Sequence, residues 1–190
     1  MTDSPASPPR PALDEATRPR APRQPGTIST AGRYRQRALV AIHDHLRHDL
    51  AQIVRAVEAA AAGELDPGTA RTLVNDSTIN QNYQLTGAFC AQYCQIVTMH
   101  HRIESQRLFP EMADLEPSLE PVLTRLHEEH EVVHDILVTL DGLLVRMVNE
   151  SSGATEVAEE ARRLRTALLS HLGYEEEELL DPLGRLPIQL

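Results

Sequence analysis

Nine histidines are distributed over this chain of 190 residues, and several stand at spacings that metal chemistry uses. His100 and Glu104 are four residues apart, and so are His171 and Glu175. On a helix that spacing stacks an imidazole and a carboxylate on one face, where both can close on a single cation. A second matched pair lies upstream of each. His43-Asp44-His45-Leu46-Arg47-His48-Asp49-Leu50 and His130-Glu131-Val132-Val133-His134-Asp135-Ile136-Leu137 share the pattern His-x-x-apolar-x-x-x-Leu. The chain therefore reads as two copies of one unit, a helix carrying a His followed by a helix carrying His-x-x-x-Glu.

Four elements are needed to place these groups. Apolar residues recur at three and four, aromatic content is only 3 %, and Trp is absent, so the fold class is all-α with no candidate strand. The first helix is predicted from about Arg33 to Ala62, stopped by Gly63 and Asp66-Pro67-Gly68, with Leu39, Ile42, Leu46, Leu50, Ile53 and Val57 as its stripe. The second starts between Thr69 and Thr78 and ends near Ala113. The third runs from Pro117 or Pro121 to about Asn149, and the fourth from about Ala154 to Leu180, followed by a short cap. Neither hairpin can bury its stripe alone, so the prediction is an up-down-up-down four-helix bundle over residues 33–190.

On these stripes His43, His100, Glu104, His130, His171 and Glu175 point inward, and His134 does so less squarely. His45, a fallback for His43, and His48 point outward. His101 sits at the margin, and His127 lies further out, exposed or lining the way in. Glu176 and Glu177 point to solvent, Glu175 and Glu178 inward. In an up-down bundle the inward groups of all four helices fall within roughly two turns of one level. Burying five imidazoles and two carboxylates together without a cation leaves large desolvation costs uncompensated. Seven donors exceed one tetrahedral zinc. They suit two octahedral ions bridged by both carboxylates, with one position left for a small exogenous molecule. Imidazole favours iron, zinc, copper or nickel over magnesium or calcium.

Residues 1–32 hold seven of the 13 prolines without apolar periodicity, and a disordered tail is expected there. All 18 basic residues are Arg, and the net charge is −10. With seven Arg against three acids before Ala38, the remainder is more acidic still. Such a body is a poor partner for nucleic acid. No apolar run approaches the roughly 18 residues of a membrane span, and no signal-peptide core is evident. Cys90 and Cys94, one turn apart, read as apolar filler with redox sensing as the alternative. A reducing cytoplasm is the expected location.

Four motifs in order, His43-x-x-Leu46-Arg47, His100-His101-x-x-Glu104 with Leu108-Phe109-Pro110, Glu129-His130-x-x-x-His134 and His171-x-x-x-Glu175-Glu176, resemble the hemerythrin-like (HHE cation-binding) family over residues 38–182. The resemblance implies a non-haem di-iron centre of two iron ions with a bridging oxo or hydroxo group, binding dioxygen. It makes His43, His100, His130, His134 and His171 terminal ligands and Glu104 and Glu175 bridges. The fourth helix departs from the oxygen carriers, which have His-x-x-x-x-Asp; the altered bridge weighs against reversible carriage. The expected function is binding of dioxygen, nitric oxide or peroxide for sensing, storage or detoxification. The alternatives are a di-iron oxidoreductase that turns over peroxide, with Tyr93 or His101 as donor, and a metal-free helical interaction module.

Overall fold

The computed structural model describes residues 13–64, 91–150 and 153–189. Among these residues the regular structure is helical throughout. Helix α1 spans Thr30–Ala61, α2 Ala91–Ile103, α3 Phe109–Leu115, α4 Glu120–Glu150 and α5 Ala154–Arg185. A single π-helical turn, Glu104–Leu108, joins α2 to α3 into one rod. Four rods result, with α1 packed on α5, α5 on α4, and α2 on α4. The predicted start of the second helix lies outside the described residues.

Local sequence explains most boundaries. Helix α1 begins earlier than predicted, because the Ser29 hydroxyl accepts a hydrogen bond from the Gly32 amide at 2.8 Å and so caps the first turn. It ends as predicted at Gly63, whose φ of 73° lets the Glu64 amide donate back to the Ala59 carbonyl at 2.9 Å, the closure that a left-handed glycine permits. Gly153, at φ 86°, likewise turns the chain into α5. The predicted short cap after Leu180 is corrected: α5 runs on through Pro182 to Arg185. A proline usually ends a helix, but here Leu183, Leu186 and Ile188 are buried in the core. Arg35 of α1 donates to the carbonyls of Leu183, Leu186 and Ile188 at 3.2, 2.6 and 3.2 Å, serving backbone groups that a helix end leaves unpaired. The same joint needs Gly32, since a Cβ there would lie 2.0 Å from the Gly184 carbonyl oxygen.

Two apolar clusters hold the rods together. The larger contains Leu46, Leu50, Val97, Val133, Leu168 and Leu172 among others; the smaller contains Leu39, Leu108, Leu126, Tyr174 and Leu179. Burying side chains of this size contributes roughly 1.5–3 kcal/mol each. Between the clusters, each rod interrupts its stripe with polar groups: His43 between Leu39 and Leu46, His100 and Glu104 between Val97 and Leu108, His130 between Leu126 and Val133, and His171 and Glu175 between Leu168 and Leu179. The polar layer is thus closed on both sides by hydrocarbon.

One stripe position differs from expectation: Ile42 is 45 % exposed and, with Ile103 of α2, flanks a groove rather than filling the core. Cys94 packs, partly buried, against the larger cluster.

The expected disorder does not extend over residues 13–29. Leu13 and Ala21 pack against the two clusters, a 3-10 turn forms at Glu15–Thr17, and Arg18 and Arg20 form ion pairs with the bundle. Proline content and the lack of periodicity hid this segment, because its order comes from the surface beneath it. No helix among the described residues is long and apolar enough to cross a membrane.

Candidate metal centre

The buried polar layer gathers five imidazoles and two carboxylates: His43, His100, His101, His130, His171, Glu104 and Glu175, each at most 8 % exposed. Their donor atoms form two groups, each within 4.8 Å: His43, His100, Glu104 and Glu175 in one, and His101, His130 and His171 in the other. The carboxylates join the two. Glu104 Oε1 lies 3.2 Å from His100 Nε2, and its Oε2 lies 3.6 Å from His130 Nε2. Glu175 Oε2 is 3.5 Å from His43 Nε2 and 3.8 Å from His171 Nε2.

Of the seven residues selected from sequence, the structure brings six together. The seventh, His134, is corrected: it is exposed on an outer groove beside Met99, Arg102 and Asp141. His101, placed at the margin from sequence, is buried in the centre instead, its ring stacked on His130 with centroids 3.9 Å apart and planes 6° apart. The reason is the stride of the helices. Along α4 the inward residues Leu126, His130, Val133, Leu137, Leu140 and Leu144 alternate steps of four and three, the seam of helices packed at a small angle. After His130 that seam steps to Val133, not to His134. The alternation was visible in the sequence and would have excluded His134.

His101 was harder to see, because neighbours on a helix point about 100° apart. A rod that faces two others can nonetheless bury both His100 and His101. Just beyond them the π turn, with the Phe109 amide bonded to the Glu104 carbonyl, widens the helix where Pro110 contributes no amide of its own. Ser105, in that turn, thereby comes within 2.9 Å of His130 Nδ1 and 3.0 Å of the exposed His127 Nδ1.

The outer nitrogens of three rings have fixed partners. His43 Nδ1 donates to Glu176 Oε1 at 2.8 Å, and His171 Nδ1 to Glu129 Oε2 at 3.2 Å, while His130 Nδ1 pairs with Ser105. A neutral imidazole whose Nδ1 gives its proton to a carboxylate presents a bare lone pair at Nε2, the form that binds a metal. Glu176, expected to face solvent, reaches back to His43 and also pairs with Arg47 at 2.8 Å. Glu129 and Glu176 were missed as supports because their role depends on which helix lies opposite.

The electrostatics are those of a site built around positive charge. Burial holds His100 down at about 3, and it also lowers His101 and His130, helped by the imidazoles around them. Burial lowers His43 too, against the pull of Glu175 and Glu176. Glu104 is raised well above the usual carboxylate range by burial and by the Glu175 carboxylate beside it. Within the layer, Nε2 of His101, His130 and His171 and all four carboxylate oxygens of Glu104 and Glu175 are buried without a hydrogen-bond partner. Orphaned buried acceptors are costly, and one or two cations would satisfy all of them at once. The residues fit a metal site.

A cavity of about 1060 Å³ reaches His100 and Glu104 from outside, walled chiefly by apolar side chains including Tyr34, Leu39, Ile42, Met99 and Ile103.

A family model described as the hemerythrin HHE cation binding domain matches residues 35–183. No curated protein and no solved structure matches the chain.

Proposed function

The chain belongs to the hemerythrin HHE cation-binding family, and on that premise we propose that it holds two iron ions and takes up dioxygen or a related small oxidant, nitric oxide or peroxide, for sensing, storage or detoxification. The observation that carries this reading is the pair of donor groups joined by Glu104, whose two oxygens face histidines of different groups. Iron held by the five imidazoles with Glu104 and Glu175 would supply electrons to an oxidant. The protein's own residues do the remaining tasks. Glu176 and Glu129 hold His43 and His171 with lone pairs inward, and the apolar clusters above and below the layer exclude water.

The two sides are unequal. Three imidazoles form one, whereas two imidazoles group with both carboxylates in the other, and Glu104 Oε2 also faces His130 across the divide. The side with fewer nitrogens is also the side that the cavity reaches, at His100 and Glu104. The exogenous molecule is assigned to that side, where an apolar approach favours a small neutral gas over ions. Of the two donors considered for peroxide turnover, Tyr93 is buried with its hydroxyl on the Leu46 carbonyl at 3.1 Å, and His101 belongs to the metal-binding group. Neither observation favours the enzymatic alternative.

The test begins with protein purified without chelators, in which elemental analysis is expected to find two iron ions per chain. Hydrogen peroxide is then added to the loaded protein. A stable coloured adduct supports a binder, whereas sustained oxygen evolution replaces it with a peroxide-disproportionating enzyme.

A further inference from the structure

Beyond the seven converging groups, a second chain of contacts leads from the centre to the N-terminal segment. Arg18 grips Glu129 with both arms of its guanidinium, Nε to Oε1 at 2.8 Å and Nη2 to Oε2 at 2.9 Å. That same Oε2 is the acceptor for His171 Nδ1. The Arg18 guanidinium also lies 4.6 Å from the centroid of the Tyr174 ring, and the Tyr174 hydroxyl donates to the Pro19 carbonyl at 2.8 Å. A separate outer anchor follows, with Arg20 on Glu178 at 2.6 Å and the Ala21 amide on the other Glu178 oxygen at 2.6 Å. Arg20 is largely exposed, whereas the Arg18 side chain is only 10 % exposed and Glu129 only 2 %.

We propose that Arg18 is a positioning residue for the three-imidazole side of the metal centre, acting through Glu129 on His171, so that docking of the N-terminal segment and metal binding on that side are coupled. The inference rests on the metal-binding reading above. A two-pronged guanidinium-carboxylate contact fixes the rotation of the carboxylate as well as its place. That rotation puts Oε2 on His171 Nδ1, which in turn directs Nε2 into the layer. Partners behind a ligand typically change metal affinity 10- to 100-fold, and Arg18 stands one contact further out. By linkage, whatever docking does for affinity, the metal does for docking.

The experiment uses the full chain and its Arg18→Gln, Arg18→Lys and Arg20→Gln variants, all first matched for helicity. Ferrous ion is titrated anaerobically against a chelator, cleavage at the Arg23–Gln24 bond is timed with trypsin, and the His171 ring nitrogens are followed by NMR in metal-free protein. Arg18→Gln is expected to weaken one of the two binding steps by about 3- to 10-fold, to spare the other, and to move the His171 nitrogen signals toward a mixture of tautomers. Arg18→Lys should fall between it and the wild type. Arg20→Gln, which loosens only the outer anchor on Glu178 and leaves the Arg18-Glu129 contact docked, should speed cleavage without changing metal binding. Wild-type metal binding and ring signals in Arg18→Gln, or equal weakening in Arg20→Gln, would overturn the proposal. If the wild type itself binds no metal, the metal reading has failed instead, and the ring signals of the metal-free variants still decide whether Arg18 orients His171.

Discussion

The two halves of the centre are built from the same four rods but stabilised differently. His101 stacks on His130 with centroids 3.9 Å apart, both meet His171 edge to face at 5.1 and 4.8 Å, and Ser105 and the Arg18-Glu129 pair stand behind them. His43 and His100 meet edge to face at 5.1 Å beside the apolar cavity, with Glu176 as support. One half is enclosed and over-determined; the other is approachable. The difference teaches that a bundle can hold a cation firmly on one side while leaving the other side open to exchange, simply by covering one face and grooving another.

The sharpest way to break this comparison is to remove its shared part. His100→Ala with Glu104→Ala takes away a nitrogen of the open half and the carboxylate that reaches both, and two-ion loading should be abolished by elemental analysis; full retention would mean the site lies elsewhere. Next in size, His101→Ala should remove one ion of the pair, while His134→Ala, one turn past His130 and exposed, should leave metal content unchanged. The reverse result would restore the ligand set read from sequence. Smaller again, Glu129→Gln and Glu176→Gln should each weaken metal binding about 10- to 100-fold, the first on the enclosed half and the second on the open one, as read by chelator competition.

The smallest effect is on the stability of the metal-free protein, where the imidazoles of both halves and the shared carboxyl of Glu104 titrate with opposite sign. His43, His100, His101 and His130 are held below their ordinary value of 6.5. Below pH 6.5 the unfolded chain therefore takes up protons that the folded one refuses, and stability falls as pH falls, by at most about 1.4 kcal/mol per pH unit for each such group. Glu104 is raised above its ordinary 4.5, so its contribution is lost as pH rises through that range. With four imidazoles against one carboxyl, thermal unfolding followed by circular dichroism should show a lower midpoint at pH 5.5 than at pH 7.5. A higher midpoint at pH 5.5 would show that the imidazoles are not buried as a group.

Much of this was legible from spacing. The apolar residues recurring at three and four on α4 and α5, such as Leu126, Val133, Leu140 and Met147 or Val157, Leu164 and Leu168, are buried, because periodicity on a helix is a local property. His100 with Glu104 and His171 with Glu175 followed from the same rule. His134 was misplaced by treating a step of four as always inward, although the neighbouring Val133 marked the seam. His101 could not be chosen over it without knowing that α2 faces two rods at once.

What the sequence determined alone was four amphipathic helices, each with its apolar stripe broken once by His or His-x-x-x-Glu, since those features depend on contacts within a single turn or two. Tertiary structure decided the rest: that His101 joins the buried donors, that Glu129 and Glu176 stand behind His171 and His43, and that Arg18 of the N-terminal segment docks behind the enclosed half. These depend on groups far apart along the chain, such as Arg18 and Glu129, meeting at hydrogen-bond distance. No periodicity encodes such a meeting, because it is fixed only when the rods pack.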